Sequence, residues 1–135
     1  MIVLDSSFLI AYHNISDVHH PEAARIMAQL ASGRWGRPLL LEYVFLETVT
    51  VLLLRRGREK ASEVAGQLLA AGDADFVPSS DLFLEVVKTF CTQESGRLSF
   101  VDCAIITAAR ERGADHLATF DRDLAGLEFL EVVHA

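Results

Sequence analysis

The stretch Ile2-Val-Leu-Asp5-Ser-Ser7 joins a short apolar run to an acid and two hydroxyl residues. Its β-branched and apolar residues predict a buried strand, and Asp-Ser-Ser is typical of the cap of a helix that follows at once. The same unit recurs at Pro38–Leu41, which leads into an apolar helix over Glu42–Arg56. Such an alternation of strands with crossover helices is typical of a parallel sheet covered on both faces.

The alternation continues along the rest of the chain. Further strands are predicted at 76–78, 115–120 and 129–133, and further helices at 20–31, 58–71, 82–92 and 99–112. We find no internal repeat and no linker rich in Pro, Gly or Ser. Residues 1–135 are therefore predicted to form a single α/β domain whose sheet has about five strands, a usual size for one core.

Composition excludes several classes of protein. Hydrophobic residues make up 51% of the chain and mean hydropathy is +0.29, so disorder is not expected. Nineteen acids against twelve bases give a net charge of −7, which argues against a protein that holds nucleic acid simply by being basic. The charge leaves room for phosphate chemistry if another group supplies the positive charge.

Cysteine use and hydropathy indicate the compartment. Cys91 and Cys103 are too few for a disulfide framework and form no zinc motif. The first residues do not read as a signal peptide, and the most apolar stretch, 39–54, is too short for a bilayer and contains Glu42 and Glu47. The sequence predicts a protein of the reducing cytoplasm, with both thiols free and no membrane span.

Two acids occupy positions where hydrocarbon is expected. Asp5 directly follows the first strand, although a helix N-cap is an alternative role for it. Glu47 shares a helix face with Val44 and Val51. A carboxylate there requires either an ion pair with an arginine or a bound metal, and the sequence leaves both open.

Two further acidic sites follow later in the chain. Asp102 shares a helix face with Ile105 and Ile106, but the run from Ser99 to Asp102 also fits a capping box. Asp121 and Asp123 come after a predicted strand, where a turn is the alternative explanation. Asp121 lies nearer the strand end and is our first choice; Asp123 is the reserve.

Together these carboxylates point to a metal site. Convergent carboxylates repel, and at least one takes up a proton unless a cation is present. Oxygen ligands without histidine or thiol suit Mg²⁺ or Mn²⁺ better than zinc. One or two such ions can polarise a phosphate and activate water for in-line displacement. The predicted catalytic and metal-binding residues are Asp5, Glu47, Asp102 and Asp121.

These four acids and the residues around them resemble the four acidic motifs of PIN-domain nucleases. Their order and spacing look most like those of the VapC-type toxins of toxin–antitoxin modules. The resemblance implies an α/β/α sandwich and a Mg²⁺- or Mn²⁺-dependent endoribonuclease. It implies that Asp5 and Asp102 bind the metal most directly, that Glu47 completes the cluster and that Asp121 holds a second ion or a ligand water. The segments that carry it are 4–10, 46–49, 98–106 and 118–123.

The resemblance also covers details of the site. Ser6 and Thr119 match positions where the family often has a small hydroxyl residue beside the acids. The last motif of the family often ends in Phe, whereas this chain has Leu124. That departure leaves the choice between Asp121 and Asp123 open.

The same resemblance implies an RNA substrate, a VapB-type antitoxin as partner and a homodimer. Residues 49–54 offer an apolar surface for such contacts, with core packing as the alternative. Residues 55–60 carry the densest basic run, which either steers a phosphate backbone or is a solvated helix end. The five histidines show no ligand spacing, and no role is assigned to them. The alternative functions are a housekeeping PIN nuclease of RNA maturation or decay and a non-catalytic interaction module.

Overall fold

The computed structural model describes residues 1–135, and its centre is a sheet in which every neighbouring pair of strands is parallel. The strand order is β3-β2-β1-β4-β5. The predicted parallel sheet of five strands is confirmed. Its strands are β1 (Ile2–Leu4), β2 (Pro38–Leu41), β3 (Asp75–Val77), β4 (His116–Ala118) and β5 (Glu131–Val132).

Six helices connect the strands. The connections from β1 to β2 and from β2 to β3 move one way across the sheet, and the connection from β3 to β4 returns past β1. Because parallel crossovers are right-handed, the two directions place their helices on opposite faces, as in a three-layer α/β/α sandwich. The helices are α1 (Ser6–His13), α2 (His20–Ala31), α3 (Glu42–Arg56), α4 (Arg58–Ala70), α5 (Phe83–Thr92) and α6 (Phe100–Arg112).

The central strands are buried along their whole length, as expected for strands that helices cover on both sides. The last two strands are shorter than predicted. β5 lies at the edge and pairs with β4 through only Glu131 and Val132. β4 ends at Ala118, which pairs with Leu4, the last residue of β1. Residues 79–81 form a short 3₁₀ turn before α5 instead of capping it directly.

The strand order creates a crevice between β1 and β4. Successive strands run outward from β1 in one direction and from β4 in the other, so the connections diverge between these two strands. Ligands of open parallel sheets bind beyond the carboxyl ends of the strands at such a switch point. Asp5 follows β1 and Thr119 follows β4, so the first and last acidic motifs meet at this edge.

The exposure of the two cysteines and of residues 49–54 bears on expectations drawn from the sequence. Cys91 is exposed, Cys103 is buried, and both are free thiols. No helix is long and apolar enough to cross a membrane. Within residues 49–54, Leu52 is buried, but Leu53 is 47% exposed and Leu54 is 80% exposed. Much of this apolar run therefore faces outward and does not pack in the core.

His13, the last residue of α1, is a half-buried titratable group. The pKa of its imidazole is lowered from 6.5 to about 4, mainly by burial and also by the positive charge of Lys60, while the negative charge of Glu63 opposes the shift. The folded chain therefore keeps His13 neutral at pH values where the unfolded chain would protonate it.

We expect the contribution of His13 to stability to be complete above pH 6.5 and to be lost as the pH falls from 6.5 toward about 4, because only the unfolded chain takes up a proton in that window. The measurement is the melting temperature of the wild type minus that of His13→Asn across this range. The difference should become smaller as the pH is lowered. His134→Asn, at an exposed position, is the control and should show no such trend. A pH-independent difference for His13→Asn would contradict the prediction.

Candidate active site

Asp5 is held at the crevice by two hydroxyl groups. The Ser7 Oγ donates a hydrogen bond to Asp5 Oδ2 at 2.6 Å, and the Thr119 Oγ1 donates to the same oxygen at 2.6 Å. The side chain is only 4% exposed and makes no capping bond to α1, although Asp5 stands at its N-cap position. The alternative role of Asp5 as a side-chain helix cap is therefore wrong.

The two hydroxyls are themselves fixed by the loop after β4. The Phe120 amide donates to Ser7 Oγ at 2.9 Å, and the Asp121 amide donates to Thr119 Oγ1 at 3.0 Å. Each hydroxyl thus accepts a hydrogen bond from a backbone amide and donates a hydrogen bond to Asp5. Both protons arrive at Oδ2, which leaves Oδ1 of Asp5 as the oxygen available to a ligand.

Ser6 connects Asp5 to Glu47. Its Oγ donates to Glu47 Oε1 at 2.6 Å and lies 3.5 Å from Asp5 Oδ1. Since a hydroxyl has one proton, the shorter contact is the hydrogen bond. Glu47 is half-buried, and no lysine or arginine forms an ion pair with it. The ion pair that was one explanation for Glu47 is absent.

Asp102 lies in the first turn of α6 and takes part in the predicted capping box. Its Oδ2 accepts a hydrogen bond from the Ser99 amide at 2.9 Å, and its own amide donates to Ser99 Oγ at 3.0 Å. Burial raises the pKa of the Asp102 carboxyl, the bonds from Ser99 oppose the rise, and the negative charges of Asp121 and Asp5 add to it. Asp102 therefore caps α6 and is also repelled by the negative charges of two other acids.

Asp121 combines a turn with a place beside the crevice. Its Oδ1 accepts a hydrogen bond from the Asp123 amide at 2.9 Å, so the turn expected here is present. Asp121 is half-buried and its charge reaches Asp102, whereas Asp123 is exposed. These positions favour Asp121 over Asp123 as the fourth acid, which stays a prediction.

The acids are gathered in one region but do not converge on one point. Ser6 donates to Glu47 and lies beside Asp5, and hydrogen bonds through Thr119 connect Asp5 with the backbone of Asp121. The charges of Asp5 and Asp121 act on Asp102. No three His, Cys, Asp or Glu side chains are arranged closely enough to hold one ion between them. Closure around a shared cation would require side-chain rotation.

The donor chemistry of the region fits a hard divalent cation. Every side-chain atom of the cluster that could bind a metal is a carboxylate or hydroxyl oxygen, and Mg²⁺ and Mn²⁺ prefer such ligands. None of the four acids has a basic ion-pair partner, and the raised pKa of Asp102 reflects their mutual repulsion as well as burial. A divalent cation would supply the positive charge that the chain itself does not.

Ser7 is the residue that the sequence did not single out. Ser6 and Thr119 were expected to support the acids, and both do so. Ser7 makes the second short bond to Asp5, but its hydroxyl could equally have served the helix start. Only the position of the Phe120 amide, which comes from the distant loop after β4, determines its direction.

Comparisons with known proteins agree with this fold. A family model described as "PIN domain" matches residues 2–130. A VapC ribonuclease of Archaeoglobus fulgidus is 26% identical over 54 residues, which are 40% of this chain and only 35% of that protein. The crystal structure of Mycobacterium tuberculosis VapC20, described as a sarcin–ricin loop cleaving toxin, superposes with a TM-score of 0.86 at 26% identity over 100% of both chains.

We expect Asp102→Asn to raise the stability of the protein in EDTA. The substitution removes a buried negative charge that the charges of Asp5 and Asp121 repel. The side-chain oxygen of the new asparagine can still accept the hydrogen bond from the Ser99 backbone amide. The measurement is the urea midpoint of unfolding at neutral pH. Asp123→Asn, an exposed acid of the neighbouring loop, is the control and should change the free energy of unfolding by less than about 0.5 kcal/mol. Destabilisation by Asp102→Asn would contradict the prediction.

Proposed function

The chain belongs to the PIN domain family, and on that basis we propose that it is a divalent-cation-dependent endoribonuclease that acts as a VapC-type toxin. The similarity over the full length of VapC20 supports the proposal, because that protein is described as cleaving the sarcin–ricin loop. A structured RNA loop is accordingly the first substrate to test. The single-domain organisation predicted for residues 1–135 remains part of the proposal.

One observation carries the proposal: four acids gather at the switch point of a parallel sheet, and none of them forms an ion pair with a basic residue. A purely structural cluster would be expected to contain a lysine or arginine, because buried charges are normally paired. An unpaired acid with a raised pKa, as Asp102 has, is typical of a functional site. The same observation argues against a non-catalytic module.

We assign the metal ligands by position. Asp5 would bind through Oδ1, the oxygen that receives no hydroxyl proton, and Asp102 would bind through Oδ1, since Oδ2 accepts the Ser99 amide. Glu47 would complete the set, and Asp121 would hold a second ion or a ligand water. A divalent cation there, Mg²⁺ or Mn²⁺, supplies Lewis-acid polarisation of a phosphodiester and lowers the pKa of an attacking water.

The protein's own residues prepare this chemistry. Ser7 and Thr119 fix the orientation of the Asp5 carboxylate before any ligand arrives, and Ser6 does the same for Glu47. Such outer hydrogen bonds commonly change metal affinity or activity by about 10- to 100-fold when they are removed. Their role is positioning, since the hydroxyl protons are already committed to carboxylates.

The partners follow from the same similarity and from the surface. We expect a VapB-type antitoxin and a second copy of the chain to use exposed apolar residues of α3, including Leu46, Leu53 and Leu54. An exposed apolar face of this kind is typical of a protein interface. We further expect the protein to act in the cytoplasm, where its RNA substrate is found.

We expect RNA cleavage to require a divalent cation, to stop in EDTA and to return with Mg²⁺ or Mn²⁺. Asp5→Asn and Asp102→Asn should each lower the cleavage rate by more than about 100-fold, because a direct ligand should matter more than an outer hydrogen bond. Ser7→Ala should lower it by about 10- to 100-fold. The measurements are cleavage of sarcin–ricin-loop RNA and the rise in melting temperature on addition of Mn²⁺, which Asp5→Asn should reduce.

Asp123→Asn is the matched control for Asp121→Asn. Loss of activity in Asp123→Asn with retention in Asp121→Asn would transfer the fourth position to Asp123. Cleavage that persists unchanged in EDTA, or in both Asp5→Asn and Asp102→Asn, would overturn the proposed mechanism. A lack of both cleavage and Mn²⁺ stabilisation would favour the non-catalytic module.

We expect expression of the wild-type chain to arrest growth and Asp5→Asn to be harmless. Growth should resume when the product of a neighbouring small gene is co-expressed, since a toxin is neutralised by a dedicated partner. Growth that continues despite demonstrated ribonuclease activity in the cells would favour the housekeeping nuclease. The measurement is culture density after induction, with immunoblotting to equalise protein levels.

A further inference from the structure

A pocket of about 300 Å³ adjoins the acids on the side of α3. Ser6 and Glu47 form its border with the acidic cluster, and His19, Phe120 and Arg55 form the remainder of its lining that matters here. The volume lies at the lower end of the range for sites that take small organic groups. The side chains of His19, Phe120 and Arg55 play no part in the mechanism proposed above.

Two aromatic rings stand in this pocket as a parallel stack. The imidazole of His19 and the ring of Phe120 are 4.4 Å apart between centroids, with 6° between their planes. Phe120 is half-buried against the core, whereas His19 is exposed. Phe120 thus covers one face of the imidazole, and the other face meets solvent.

The stack is held at a fixed place relative to Asp5. The Phe120 amide donates to Ser7 Oγ at 2.9 Å, and that hydroxyl donates to Asp5 Oδ2 at 2.6 Å. On the other side, the His19 amide donates to Asp17 Oδ1 at 2.8 Å, which fixes the start of α2. The outer face of the imidazole is therefore presented by ordered backbone next to the acids.

Arg55 supplies positive charge in an otherwise acidic neighbourhood. It lies in the last turn of α3, lines the pocket and has no ion-pair partner. Its neighbour Arg56 contacts Ser16 Oγ instead and does not line the pocket. An arginine free of carboxylate partners retains its donors for a phosphate.

We propose that this pocket is a nucleotide subsite, in which one unpaired RNA base stacks on the outer face of His19 and an adjacent phosphate contacts Arg55. The inference rests on the proposed function, because it places that nucleotide beside the bond to be cleaved. A base within a duplex has both faces covered, so the subsite selects RNA whose base is unstacked in a loop or single strand. Aromatic stacking of this kind tolerates several bases, and the loop shape would supply further selectivity.

The test uses stem-loop RNAs in which 2-aminopurine replaces one loop base at a time, and binding is measured in an Asp5→Asn background to prevent cleavage. We expect quenching of the fluorophore at one loop position, because the base stacks there. His19→Ala should abolish that quenching and weaken binding by about tenfold, and His19→Phe should preserve both. Equal melting temperatures of the variants would establish that each is folded.

A salt titration tests the phosphate contact separately. Arg55→Gln should weaken binding of every RNA and lower the slope of log K against log salt by about one. Arg56→Gln, the adjacent residue outside the pocket, is the matched control and should leave the slope unchanged. Equal slopes for wild type and Arg55→Gln would remove Arg55 from the subsite.

The outcomes separate the subsite from the proposed catalysis. Quenching that His19→Ala leaves intact, or cleavage of loop RNA unaffected by His19→Ala, overturns the subsite even if the wild type is a nuclease. Binding and His19-dependent quenching without any cleavage by the wild type supports the subsite and overturns the nuclease proposal. Absence of loop-RNA binding overturns the subsite.

Discussion

The site depends on two hydroxyl protons that meet on one carboxylate oxygen. Ser7 and Thr119 both donate to Asp5 Oδ2, and the loop amides of Phe120 and Asp121 donate to those two hydroxyls. The Asp5 amide also donates to the Ala118 carbonyl at 3.0 Å. The end of β1 and the end of β4 are thereby joined by side-chain and backbone bonds.

Repulsion between the carboxylates works against this arrangement. Asp102 is buried near Asp5 and Asp121, and its raised pKa reflects both the loss of solvent and the like charges. The N-terminus of α6 and the Ser99 amide favour the ionised form and keep the carboxylate in place. The fold therefore maintains, through caps and hydroxyls, a group of charges that would repel one another in isolation. Such local conflict is common where function, and not stability, selects the residues.

Much of this architecture could be predicted from local sequence, and its limits have physical causes. The apolar runs at 2–4 and 38–41 predicted the central strands because strands covered on both faces need hydrocarbon throughout. The last two strands were predicted too long, since their ends are set by pairing with the neighbouring strands. Sequence located all four acids near the crevice but left an ion pair of Glu47 open, because pairing depends on distant residues. The stack of His19 on Phe120 joins two loops 101 positions apart, which no local pattern records.

The distance along the chain between the two halves of the junction sets an order of events during synthesis. Thr119 and Asp5 are separated by 114 positions, so the carboxylate cannot acquire its second hydroxyl bond until Thr119 has left the ribosome. The central strand β1 likewise waits for β4 before both of its edges are paired. Contacts of such long range form late in folding. A nascent chain therefore carries Asp5 through the synthesis of the next 114 positions without the full set of hydrogen bonds that orients its carboxylate.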